Sequence, residues 1–250
     1  MKRLATLLAA LILASAVCRA APLPLGDDLA DVVTVLFDES DPDGGKYVYS
    51  YCYPHIDESD PDAYLVNEFY EYEVSDTLDF RIPMDADYWA SMGEDASKSI
   101  SYTLTCNNDE YFSLLLRIED VTGDFHQTAY SGHTFSRLDG KPGSTITLPQ
   151  ILGILAVNEN DSWLQDRQTE KADQLIRDMI WEMVEDNPDD IPYYDDFTPD
   201  TFAEIFYPEE DFYLDENGSP VFFIQPGAAA DDSAGLLTYP ISLEDILDEM

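Results

Sequence analysis

The clearest periodic signal in the chain is a set of apolar positions at three- and four-residue spacing: Ala172, Leu175, Ile176, Met179, Ile180, Met183 and Val184. They predict one amphipathic helix, ended by Pro188. A period of two runs through residues 99–106, where Ile100, Tyr102, Leu104 and Cys106 share one face and Ser and Thr take the other, as in a half-buried strand. Residues 110–119 follow across Asn107-Asn108-Asp109 as a more buried partner, and another strand is expected near 128–138. Upstream, 31–37 and 46–53 read as strands paired across Asp41-Pro42-Asp43-Gly44-Gly45. Asp60 and Pro61 open a helix with Leu65, Phe69 and Tyr72 on its stripe. Residues 84–97 show no period and are expected to be irregular.

The second half continues with a short strand entering a helical turn at 145–152 and a helix capped by Thr198-Pro199 that carries Phe202, Ile205 and Phe206. Residues 211–215 and 220–225 form a hairpin, because Asn217-Gly218 tolerates the positive φ of a tight turn. A Gly/Ala-rich loop leads to a strand at 236–241. Ser242 and Asp245 then cap a terminal helix with Leu243, Ile246 and Leu247 inward. This order of elements predicts an α+β fold: mixed, mostly antiparallel sheets with a few packed helices, in two closely associated subdomains, 21–138 and 139–250.

The first twenty residues change the compartment. Lys2 and Arg3, an apolar run over 4–17 and small residues at Ala20 and Ala21 are the layout of a secretory signal peptide, residues 1–20. Lipidation at Cys18 is the weaker alternative, since Val17 puts a branched residue where a small one belongs. No later segment has the roughly 18 apolar residues of a membrane span. An extracytoplasmic protein, secreted or periplasmic, is therefore expected. In that oxidising setting Cys52 and Cys106, each in an expected strand, are expected to form one disulfide.

Charge narrows the partners. The chain has 52 acidic and 12 basic residues, a net −40 at pH 7, and loss of Lys2, Arg3 and Arg19 would deepen it. Such a field repels nucleic acid and anionic lipid and draws cationic partners; its simplest role is solubility. The 16 Tyr, 12 Phe and 3 Trp argue against disorder.

Catalytic motifs are sparse. The three histidines, His55, His126 and His133, match no zinc spacing, so no metal is expected; Asp124, His126 and His133 are the one loose cluster, with a structural turn histidine as the simpler reading. No nucleophile elbow, phosphate loop or catalytic-cysteine pattern occurs, and no cofactor is expected. Asp41-Pro42-Asp43-Gly44 begins like a calcium loop, but Ser50 stands where its closing Glu belongs.

A set of short motifs then falls in a recognisable order: Tyr53-Pro54-His55-Ile56, Asn67, Ser113-Leu114, Gly123-Asp124-Phe125-His126, Leu138-Asp139-Gly140-Lys141, Asp211-Phe212-Tyr213-Leu214, Val221-Phe222-Phe223, Pro226, Gly235 and Tyr239-Pro240-Ile241. The order resembles the extracytoplasmic module of RsiV-type anti-sigma factors and the non-catalytic part of PdaC-type peptidoglycan deacetylases. In that module a DUF4163 segment, here 21–138, precedes a DUF3298 segment, here 139–250. The chain differs from the family at Asp124-Phe125, where Gly-Ala is usual, and at Gly227-Ala228, where Tyr-Glu follows Pro226.

The resemblance and the charge together imply a secreted or cell-surface, non-enzymatic binding module for a cationic protein such as lysozyme. The alternative is a peptidoglycan-associated enzyme or accessory factor of the cell envelope; the bland reading is an acidic surface component without a specific ligand. Asp124, His126, Pro226, Asp231 and Asp232 are the candidate binding residues, with no catalytic residue assigned.

Overall fold

The computed structural model describes residues 21–38, 45–138, 140–155, 163–186 and 191–250, with the side chains of Trp163 and Leu164 excepted. The expected leader, Cys18, the turn and calcium-like loop after Asp38, Asp139 and Pro188 lie outside the described residues.

Strands β1 (Leu29–Leu36), β2 (Lys46–Tyr53), β3 (Ala96–Asn107), β4 (Tyr111–Thr122) and β5 (Phe125–Ser136) form a five-stranded sheet in that order. All neighbours are antiparallel except β2 and β3, whose parallel pairing sets Tyr47 opposite Ala96 and Tyr51 opposite Ile100. A parallel pair needs a crossover. Helix α1 (Ala63–Asp76), a π-helical turn (Thr77–Arg81) and helix α2 (Ile82–Met92) supply it. Between them and the sheet lies a core of Tyr47, Tyr49, Tyr51 and Tyr53 from alternate positions of β2, with Val66, Tyr70, Val74, Ile82, Phe112, Leu114 and Phe135.

Two expectations change here. Residues 84–92 are helical and 96–97 open β3, where 84–97 were expected to be irregular: α2 runs on directly from the π turn and carries Pro83 at its second position. Tyr72 is 70 % exposed, because Val66, Tyr70 and Val74 hold the buried face of α1.

The second sheet is a meander of β6 (Phe212–Leu214), β7 (Pro220–Ile224) and β8 (Leu237–Pro240), with Gly218 at φ +82° in the β6–β7 turn. Around it pack a short helical turn α3 (Leu148–Ile151), the long helix α4 (Trp163–Asp186), α5 (Pro199–Ile205) and α6 (Leu243–Glu249). The α4 stripe is as expected: Ala172, Ile176, Ile180 and Val184 are buried, with Leu175, Met179 and Met183 at their flanks. Ser242 Oγ accepts from Asp245 N at 3.0 Å, which caps α6; Ile246 faces the core, but Leu247 is 46 % exposed. The fold is α+β, two sheets with packed helices.

The expected disulfide is absent: Cys52 and Cys106 are free thiols. Tyr51 pairs with Ile100, so Cys106 lies five residues beyond the partner of Cys52, about 16 Å along β3. A disulfide bridges Cα atoms no more than about 7 Å apart. Nor does Cys106 share the face of Ile100, Tyr102 and Leu104: a bulge in β3 between Leu104 and Cys106 turns it to the opposite side, into the same core as Phe212 and Leu214.

Candidate functional site

Strand β5 is an edge of the first sheet, and an open edge invites pairing with other chains. The second sheet and its flanking loops close it. The Gln225 carboxamide accepts from Tyr130 N and donates to Tyr130 O, both at 2.9 Å, as a residue of an added strand would. Ile146 N donates to Thr134 O at 2.7 Å. Between these, Gly132 lets the Phe212 carbonyl come so close that a Cβ would overlap it. Deeper in, Ser113 Oγ, fully buried and 2.9 Å from Thr134 Oγ1, accepts from Leu214 N at 3.0 Å.

Beside this seam, between the first sheet and the loop after β7, there is a cleft of about 400 Å³. Its first wall is Arg117 from β4 and His126, Thr128 and Tyr130 from β5, alternate positions on one face. Glu119 links the row: its Oε2 is 2.6 Å from Arg117 Nη1 and its Oε1 3.2 Å from His126 Nε2. The facing wall is the loop after β7, with Pro226, Asp232, Ser233 and Gly235. Asp232 Oδ1 lies against Gly227, so closely that a side chain there would displace it. Asp231 caps the 3-10 turn Asp232–Ala234 by accepting from Ser233 N at 2.9 Å, and that backbone bond keeps its carboxyl below the usual carboxylate range.

Of the residues selected from sequence, the fold thus brings His126, Pro226 and Asp232 to one cleft. Asp231, outside the lining, caps the turn that carries Asp232 and Ser233, and Asp124 sits on the tight turn between β4 and β5, also outside the lining. Arg117, Glu119 and Gln225 went unseen. Their signal was strand parity combined with an edge position, and the edge is a tertiary fact. His126 and His133 are seven apart on β5, so they fall on opposite faces and share no site. Among the described residues no three His, Cys, Asp or Glu side chains are grouped to hold a metal, and no hydroxyl or thiol is hydrogen-bonded to His126.

The other face of the sheet carries a cavity of about 270 Å³ beneath the helices, lined by Tyr49, Tyr51, Thr77, Ile100, Leu116 and His133 among others. His133 Nδ1 is 3.1 Å from the hydroxyl of buried Tyr70. Burial pushes the imidazole down to about 4, so the ring is neutral. Burial likewise pushes the Tyr70 hydroxyl upward, so it keeps its proton. Both groups are core hydrogen-bonding partners.

The architecture matches a crystal structure of a DUF3298 family member from Bacteroides fragilis at a TM-score of 0.57, with 11% identity over 91% of this chain and 94% of that one. A DUF3298 family protein from Pseudomonas aeruginosa aligns over the same shares at 11% identity and a TM-score of 0.49. No protein-family model matches the sequence, and no curated protein is significantly similar to it. The chain has the fold of a DUF3298 module. No helix among the described residues is long and apolar enough to cross a membrane.

Proposed function

We propose that the protein is a non-enzymatic, extracytoplasmic binding module whose cleft between the two sheets docks a basic loop of a cationic protein, of which lysozyme is the model. The observation that carries this reading is the cleft itself: a concave seam of about 400 Å³ with Asp232 on one wall and Pro226 as a rigid apolar contact beside it, in a chain of net charge −40. A carboxylate on a pinned loop pairs with Lys or Arg at little ordering cost, and the surrounding field speeds encounter. Arg117 and His126 are turned toward Glu119, which tempers their repulsion of a basic guest.

The test is calorimetric titration with lysozyme at physiological salt, beside an unrelated protein of equal acidity. Saturable binding at least about tenfold tighter than the control supports the reading; equal affinities overturn it. Turnover of peptidoglycan that is lost in His126→Ala would assign the cleft to an envelope enzyme instead.

A further inference from the structure

Helices α1 and α2 bury one face and leave the other uncovered. Their inward positions are Val66, Tyr70, Val74, Thr77, Ile82 and Ala86. The five-residue step from Thr77 to Ile82 is absorbed by the π turn, which keeps that face in phase with the sheet. On the outward side Tyr72, Phe80, Met84, Tyr88 and Met92 are 70, 64, 71, 55 and 56 % exposed. The last four recur every four residues, so each lies one turn from the next in a stripe about 18 Å long. Single exposed apolar residues need no explanation; a continuous stripe of methionine and aromatic side chains marks an adaptable contact surface.

The flanks of the stripe are acidic. Glu68, Glu71, Asp79 and Asp87 are exposed on the same helices. Arg81 is the one basic residue between positions 63 and 92, and it is held by Glu73 at 3.5 Å and Asp76 at 3.3 Å. An apolar line in an acidic frame repels anionic lipid and a second copy of this chain, and complements a helix with one apolar and one cationic face.

We propose that the Tyr72–Met92 face of α1 and α2 is a docking surface for a cationic amphipathic helix. The inference is independent of the cleft, since it uses none of the cleft's residues.

The probe is a synthetic 18-residue Lys/Leu peptide with an amphipathic repeat, compared with a scrambled peptide of the same composition. Calorimetry at roughly 0.15 M salt is expected to give one bound repeat peptide, and circular dichroism a gain of helix on mixing. Combined Phe80→Gln, Met84→Gln and Tyr88→Gln should weaken binding at least about tenfold, as loss of apolar anchors does. The scrambled peptide should bind more weakly by a similar factor. Should the triple variant fail to fold, Met84→Lys at the centre of the stripe carries the test and should give the same loss by like-charge repulsion. Equal binding of the two peptides, or affinity unchanged in the folded variant, overturns the proposal. Sedimentation showing a wild-type dimer that the variant abolishes also overturns it, because the occupant is then a second copy.

Discussion

Gly132 sits where the backbone of β6 crosses the edge of the first sheet, and the Phe212 carbonyl occupies the space any Cβ would take. Gly132→Ala must push β5 and β6 apart, and the expected loss is about 2–4 kcal/mol in urea unfolding, from overpacking and the seam bonds it strains. His133 supplies a pH dependence with a definite sign. Its imidazole titrates near 4 in the folded protein against about 6.5 in the unfolded chain. The unfolded state therefore binds the extra proton between those values. The stability that depends on the neutral ring is complete above about pH 6.5 and is lost as pH falls toward 4, on the order of 3 kcal/mol across the window. Carboxylate titration acts on wild type and His133→Gln alike, so the difference in their unfolding free energies is the readout. That difference should move in the variant's favour on acidification, and a constant difference would contradict the assignment. The thiols give a third check: without reductant, the denatured protein should take an alkylating group at both Cys52 and Cys106, and a reductant should add nothing at either.

At the scale of elements, those with a local cause were legible in the sequence. The α4 stripe, the alternation in β3 as far as Leu104, the Asn217-Gly218 turn and the caps at Thr198 and Ser242 each have their signal within a few residues, and each is present; the bulge that turns Cys106 away from Leu104 has no such local signal. Helix α2 was not legible because its inward positions, Ile82 and Ala86, are few and its outward ones are as apolar, so no face stands out. The disulfide failed for a related reason: a cysteine in each of two strands fixes neither register nor face, and parallel pairing offsets the two residues. The cleft was half legible. The motifs at His126 and at Pro226–Asp232 pointed to it, while Arg117, Glu119 and Gln225 acquire meaning only once β5 is an edge that Gln225 covers. We propose that 21–138 and 139–250 are the two folding units. Residues 21–138 expressed alone would lose Gln225, Ile146 and Phe212 from the β5 edge, and that exposed edge should make the fragment associate. Light scattering should show it aggregating at concentrations where the whole chain is monodisperse; a stable monomeric fragment would contradict this account of the seam.

For the whole molecule the dominant quantity is charge. A net −40 spread over helices, loops and hairpin tips explains solubility without a ligand, and by itself it selects no partner among cations. What distinguishes a binding module from an acidic coat is whether affinity depends on a particular place. The cleft makes that distinction sharp, because Asp231→Asn with Asp232→Asn removes two charges from a total of −40 and retains the capping oxygen of residue 231. The decisive measurement is the lysozyme Kd at physiological ionic strength for wild type and for this double variant. The expected result is a loss of at least about tenfold, the scale of one or two desolvated charge contacts. A Kd that is unchanged, or that weakens only as much as removing any two surface acids would cause, contradicts it.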